Sequence, residues 1–274
     1  MGQASTTCCT NGSDAKSQIV TSDLATAHCC RPQEVPSFRF GGADPELEAD
    51  ASLGDDVYEG DRLGSLPHGQ GVSTTPDGAR YEGQFVKGKK SGQGTYRYPT
   101  GASYTGQWAD DLQEGSGQEA WADSSKYEGE FCRGKKHGRG TFVWSNGCKY
   151  VGEFDQNDMH GEGHFVFNDG RTYSGQWTRN AMGPRGKMWW SDGREYQGEF
   201  ADGKKHGEGV LRWPDGRSYN GQWCDGRQHG TAVACTAQGM RRESRWLDGR
   251  FIEWLGEIIE DDDEAARARS PEGR

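Results

Sequence analysis

Long apolar runs are missing from these 274 residues. Nowhere do about 18 hydrophobic side chains follow one another, so no membrane-spanning helix is readable, and the first residues lack the apolar stretch of a secretory signal. The chain is therefore expected in the cytosol or facing it. Hydrophobic residues make up only 31% against 43 glycines, which excludes a large globular core and implies a thin, turn-rich one. A basic face is missing too. Residues 1–57 carry 3 basic and 9 acidic groups, 58–249 carry 25 of each, and 250–274 carry 4 and 8. Nucleic-acid binding, which needs such a face to displace counterions, is set aside. The eight cysteines form two adjacent pairs, Cys8-Cys9 and Cys29-Cys30, and four singles, which is neither a disulfide framework nor a CxxC zinc pattern. No P-loop, GxSxG or zinc signature is present, and no metal or cofactor is expected.

What the sequence has is a period. Tyr58, Tyr81, Tyr104, Tyr127, Tyr150, Tyr173, Tyr196 and Tyr219 stand 23 residues apart, and a glycine follows each by two positions. Four residues after the tyrosine stand Phe85, Trp108, Phe131, Phe154, Trp177, Phe200 and Trp223. Thirteen after it come Gly71, Gly94, Gly117, Gly140, Gly163, Gly186 and Gly209. The unit reads YxGx(F/W), then GxG, then a turn.

Segments such as YEGEFCRGKKHGRGTFVWSNG (127–147) and YQGEFADGKKHGEGVLRWPDG (196–216) resemble membrane occupation and recognition nexus (MORN) repeats, over 58 to about 240. The resemblance implies an all-β fold, a row of tandem β-hairpins forming one elongated, single-layer twisted sheet. Parity supports this independently. Within a strand the tyrosine, the glycine two on and the aromatic four on project from one face, and polar residues such as Glu82 and Gln84 project from the other. Tyr96 and Tyr98, or Phe142 and Trp144, repeat the alternation in the second strand. Asn146-Gly147, Asp169-Gly170 and Pro214-Asp215-Gly216 mark turns between copies. At about 4.8 Å per strand, eight two-stranded copies make a rod on the order of 75 Å before twist. The ends depart from the pattern, with Arg62 in the aromatic position of the first copy and Ala232 for glycine in the last. Inside the array Gly183-Pro184 replaces a His-Gly pair and Ser124 a turn glycine, and local kinks are expected there.

The chain divides into a polar N-terminal tether (1–57), eight repeats (58–241) and a C-terminal segment (242–274). In the last, Phe251, Trp254, Leu255, Ile258 and Ile259 follow i, i+3, i+4, i+7, i+8, which predicts a short amphipathic helix ahead of an acidic tail. Five of the seven histidines (His68, His137, His160, His206, His229) share one repeat position, and recurrence in phase marks structure rather than catalysis. The carboxylates Glu130, Glu153 and Glu199 recur in register as well, so acid–base work is not expected.

Two functional expectations follow. A single-layer sheet leaves its rings uncovered, so a protein partner should bind an aromatic face built from Tyr81, Phe85, Tyr96, Tyr98, Tyr104, Trp108, Tyr127, Phe131, Phe142, Trp144, Tyr150, Phe154, Tyr173, Trp177, Trp190, Tyr196, Phe200 and Trp213. Met1-Gly2-Gln3-Ala4-Ser5-Thr6 matches the N-myristoylation pattern, with Gly2 as acceptor. One acyl chain binds membranes only marginally and the segment is acidic, so palmitoylation of Cys8 and Cys9 is the expected second signal, with Cys29 and Cys30 as weaker candidates. Together these describe a non-catalytic scaffold on the cytosolic face of a membrane. The alternative is a module for anionic phospholipid headgroups that uses lysine-rich links inside the copies, Lys89-Lys90, Lys135-Lys136 and Lys204-Lys205.

Overall fold

A computed structural model describes residues 56–259. Eighteen strands run from β1 (Val57–Leu63) and β2 (Leu66–Thr74) through pairs such as β3 (Arg80–Val86) and β4 (Lys89–Arg97) to β17 (Arg241–Leu247) and β18 (Arg250–Ile259). Each strand pairs antiparallel with the next, giving one open meander. The all-β single sheet expected from the period is present, and no helix occurs among the described residues.

Every copy is one hairpin, and its glycines have separate jobs. In β7 (Lys126–Cys132) and β8 (Lys135–Val143) the register runs Gly129↔Gly140 and then jumps to Glu130↔His137. The jump leaves Gly138 and Arg139 as a bulge on the second strand. Gly138 takes φ 59°, a left-handed conformation open to glycine at little cost, and the Glu130 carboxylate accepts the freed Arg139 N–H at 3.0 Å. Gly140 is glycine for another reason. The Tyr127 ring lies flat on the Gly129–Gly140 pair, and a Cβ on Gly140 would stand 2.5 Å from the phenol oxygen and 2.6 Å from a ring carbon. Bulge and ring are joined, because the Tyr127 hydroxyl donates to the Glu130 carbonyl, at the register jump, at 3.0 Å.

This arrangement answers how one layer makes a core. Tyr127 meets Phe131 of its own copy at 5.2 Å and 90°, and Phe154 of the next copy at 5.0 Å and 84°, both edge to face. The same two contacts recur along the sheet, so the tyrosines are buried by their neighbours' rings without a second layer.

The predicted C-terminal helix is corrected. Residues 250–259 form β18, paired with β17 as a ninth, degenerate hairpin. Arg242, Ser244 and Trp246 occupy the tyrosine, glycine and aromatic positions, and Trp246 meets Tyr219 at 5.5 Å and 86°. Ser244, fully buried where glycine is usual, donates from Oγ to the Ala232 carbonyl at 3.1 Å. Register shifts at Arg242/Glu243 and Arg245/Trp246 break the alternation of β18. Each bulge resets the phase, so Phe251, Trp254 and Ile258, paired with Trp246, Ser244 and Arg242, share one face at helix-like spacing while the backbone stays extended, and Leu255 and Ile259 face the other way. The sheet therefore continues past 241, to Ile259.

Two further expectations concern interior departures. Ser124 adopts φ 74° in its turn, and the pairing on either side follows the usual register, without a kink. At Gly183-Pro184 the ladder to the next copy begins only at Arg185↔Glu199, where other copies start one residue earlier, as at Gly161↔Trp177. Proline has no N–H to give there.

Gly140→Ala should destabilise the array by about 1–3 kcal/mol, because rings on both sides hold Tyr127 in place. Ala232→Gly, at the equivalent position of copy eight, should change stability by less than that, since Tyr219 already meets Trp223 at a relaxed 75°. Urea unfolding of the two variants checks the contrast.

Candidate interaction surface

The aromatic residues divide by position in the copy. From copy two on, the tyrosines and the rings four residues after them are interior, and so is Phe142 in a second strand: among the expected face residues Tyr81, Phe85, Tyr104, Trp108, Tyr127, Phe131, Phe142, Tyr150, Phe154, Tyr173, Trp177, Tyr196 and Phe200 are all buried. Burial pushes the phenols of Tyr81, Tyr104, Tyr127, Tyr150, Tyr173, Tyr196 and Tyr219 well above the usual tyrosine range. The expectation that all rings stand uncovered is corrected for this set, because edge-to-face packing between copies covers them.

A second set keeps part of its surface. Tyr96, Tyr98, Trp144, Trp190 and Trp213 are half-buried. All but Tyr96 stand seventeen residues after a tyrosine, at the first residue of the turn between copies. There the Tyr98 N–H donates to the Ala102 carbonyl at 2.9 Å, and the Gly101 N–H returns to the Tyr98 carbonyl at 3.0 Å. Trp121 and Phe167 hold the same position and were not singled out from the sequence. Their signal was phase alone, one step beyond the strand whose parity was being followed. In the middle of the array these rings lean on one another, Trp121 on Phe142 at 5.2 Å, Phe142 on Trp144 at 4.4 Å and Trp144 on Phe165 at 5.3 Å. Toward the C-terminal end each carries an arginine. Arg171, Arg194 and Arg217 stack on Phe167, Trp190 and Trp213 at 4.7–5.5 Å. Their Nε atoms donate to Asp169, Asp192 and Asp215 at 2.7–2.8 Å. The result is one row of rings along the turn edge, with the Lys136 amine 4.9 Å from the Trp121 ring and a guanidinium on each of Phe167, Trp190 and Trp213.

The lysine pairs do not line an edge as pairs. They open the second strands, and alternation sends the two members to opposite sides. Lys89, Lys135 and Lys204 are exposed, with Lys89 at 3.4 Å from Asp110 and Lys135 donating to the Gln156 side chain at 2.9 Å. Lys90, Lys136 and Lys205 turn inward, into a slot that Met159 and Met182 fill in copies five and six. Lys136 is 4% exposed by side chain and paired with Glu119 at 3.0 Å, with its Nζ over Trp121 and Tyr127. Lys90 lies over Tyr96 at 5.0 Å, and burial lowers its pKa while Asp111 opposes the shift. Lys205 lies over Trp223 at 4.4 Å, Trp190 at 5.4 Å and Tyr196 at 5.7 Å; burial, aided by Arg194, lowers its pKa to about 8.

The recurring histidines carry structural contacts: His137 Nδ1 stands 3.3 Å from Asp155, and His68 accepts the Lys87 N–H at 3.4 Å. Among the described residues no group of His, Cys, Asp and Glu could hold a metal ion, and no helix is long and apolar enough to cross a membrane. Gly2, Cys8, Cys9, Cys29 and Cys30 lie outside the described residues.

The MORN-repeat family matches seven consecutive copies, residues 58–80, 81–103, 104–126, 127–149, 150–170, 173–193 and 196–216. The chain belongs to the MORN-repeat family. Copy eight and the ninth hairpin extend the MORN array beyond the matched residues with the same pairing. MORN repeats are in general modules for protein or membrane interaction. No curated protein matches the sequence. Among solved structures the MORN array is similar to the TCP domain of Drosophila melanogaster SAS-4 in complex with a proline-rich motif of Ana2, at 12% identity and TM-score 0.35, over 57% of this chain and 85% of that one. It is also similar to the G-box domain of the microcephaly protein CPAP, at 12% identity and TM-score 0.42 over 69% and 99%. The TCP10 domain of Danio rerio CPAP in complex with a peptide of Danio rerio STIL matches at 13% identity and TM-score 0.26 over 73% and 98%. At that level of superposition none carries a functional argument.

The inward lysines predict opposite stability effects. Lys136→Met strands the buried Glu119 carboxylate and should destabilise by about 3 kcal/mol. Lys205→Met should stabilise at pH 7 by roughly 1–2 kcal/mol, because the folded amine has a pKa below its unfolded value. The folded state then binds fewer protons than the unfolded one between about pH 8 and the ordinary lysine value. Wild-type stability should climb through that window, and the advantage of Lys205→Met should vanish above it. Denaturant unfolding of both variants across pH 7–10.5 reads the difference.

Proposed function

We propose that this MORN protein is a non-catalytic scaffold that holds an extended segment of a partner protein along the turn-edge row of rings, with Tyr98, Trp121 and Trp144 as its centre. The observation that carries the reading is the half-burial of that row: its rings pack against the core, and all but Phe167 keep part of their surface. Aromatic side chains held this rigidly lose little conformational freedom on binding.

Sheet twist favours a protein segment over a flat lipid surface. Adjacent strands rotate by roughly 20–25°, so one copy turns the surface by roughly 45°. Lys89 and Lys135 are two copies apart, and Lys135 and Lys204 three, so the outward lysines point in widely different directions. Each basic residue contributes about 1 kcal/mol only when it faces the anionic surface. A flexible chain can follow the spiral of rings, whereas a planar bilayer meets one lysine at a time. We further propose that the membrane is reached by acylation, myristoyl at Gly2 and palmitoyl at Cys8 and Cys9.

Replacing Trp121 and Trp144 together by Gln should abolish co-purification of the partner from cells while circular dichroism stays β-rich, and Glu82→Gln on the polar face should leave it unchanged. Equal capture by all three proteins would sink the ring-row reading. Gly2→Ala should move the protein from membrane to soluble fractions, and Cys8→Ser with Cys9→Ser should leave weak, exchanging attachment. Unaltered fractionation of both variants rules out the acyl anchor. Flotation of the non-acylated array with phosphatidylserine liposomes tests the lipid reading, which strong binding would favour.

A further inference from the structure

Three copies place a lysine amine among aromatic rings, and one of the three has no acid beside it among the described residues. The Lys136 amine has Glu119 at 3.0 Å. Lys90 faces Asp111, whose carboxylate also accepts the Lys90 backbone N–H at 2.8 Å. At Lys205 both acid positions are vacated by sequence: Met188 stands where copy three has Glu119, and Gly226 where copy three has Asp111. Gly226 still donates its N–H to the Lys205 carbonyl at 2.8 Å but brings no side chain. The elements around Lys205 supply Trp190 and Arg194 beside β13 (Glu195–Ala201), Tyr196 from β13 itself and Trp223 from β15 (Ser218–Cys224). The charged neighbour is thus a cation, and its own acid, Asp192, is taken by Arg194 at 2.8 Å. The residue is half-buried.

We propose that Lys205 is a nucleophilic acceptor site for an activated short-chain acyl group, of the thioester class. The neutral Nζ attacks the thioester carbonyl carbon, a C–N bond forms and the C–S bond breaks. The thiolate leaves and takes up the proton that the amine releases, so the products are an amide and a free thiol. Three features make this amine the reactive one. Desolvation and Arg194 disfavour the ammonium form, giving a pKa of about 8, so an appreciable fraction is neutral near pH 7.5. Three rings, of Trp223, Trp190 and Tyr196, hold the amine in place at 4.4–5.7 Å. The product is a neutral chain in a slot that Met159 and Met182 fill in neighbouring copies, so acylation makes copy seven like copies five and six. The inference does not rest on the partner-binding reading, since it is read without any partner.

The test uses the full-length protein and a limiting amount of acetyl thioester, with site-resolved mass spectrometry. At pH 7.5 Lys205 should acetylate on the order of tenfold faster than Lys204, its exposed neighbour. Its rate should level off near pH 8, where that of Lys204 still rises. Met188→Glu, which installs the acid that copy three provides, should slow Lys205 to the rate of Lys204. The proposal is overturned if Lys205 reacts no faster than Lys204, or if folded Met188→Glu protein labels as fast as wild type. Should that variant fail to fold by circular dichroism, the wild-type pH profile decides alone: levelling near pH 8 supports the site, and a rate still rising at pH 10 rejects it.

Discussion

One contact sets the rest of this molecule: a tyrosine ring lying on two glycines that face each other across a hairpin. Because Gly129 and Gly140 present no side chain, Tyr127 can lie against the backbone and send its hydroxyl to the Glu130 carbonyl. The ring then offers two edges, one to the aromatic of its own copy and one to that of the next. A layer of strands that would otherwise have a dry face and nothing to cover it becomes its own core. Elongation follows, because each copy buries its tyrosine only when a neighbour supplies the second ring, as expected where repeats contact only their neighbours.

The same constraint assigns the remaining positions. The bulge that frees the Glu130 carbonyl demands the left-handed glycine at 138, and the side chain of Glu130 closes the bulge from the polar face. What is left between one copy's tyrosine and the next copy's ring is a narrow slot that in copies two to eight takes a long, flexible chain of lysine, glutamine or methionine, with Pro67 in the first copy and Phe251 in the ninth hairpin. Function can then vary where packing does not decide, in the ring that caps each turn and in the chemistry of the slot residue. A scaffold with an interior amine is consistent with such a division.

Part of this was legible because it repeats. Tyrosine and glycine in fixed phase disclosed the hairpins and the ring-bearing face, since a 23-residue period leaves few ways to pair strands. The ninth hairpin was hidden because its tyrosine and glycine are replaced by Arg242 and Ser244, and because two bulges gave β18 the spacing of a helix. Trp246, in phase with Trp223, and Asp248-Gly249, in phase with Asp225-Gly226, were the surviving signals.

The sequence by itself determined the all-β class, the number and order of the regular copies and the positions of the turns, because those depend on local conformational preference and on period. Which side of each lysine pair points inward, which rings are interior and which keep surface, and whether a cation meets an acid were decided only by the tertiary structure. Lys136 and Lys205 sit in near-identical KKHG segments, yet one is paired with Glu119 and the other faces Met188 and Arg194. That difference is made by residues from neighbouring strands. Local sequence sets the slot, and only the assembled sheet shows what stands across it.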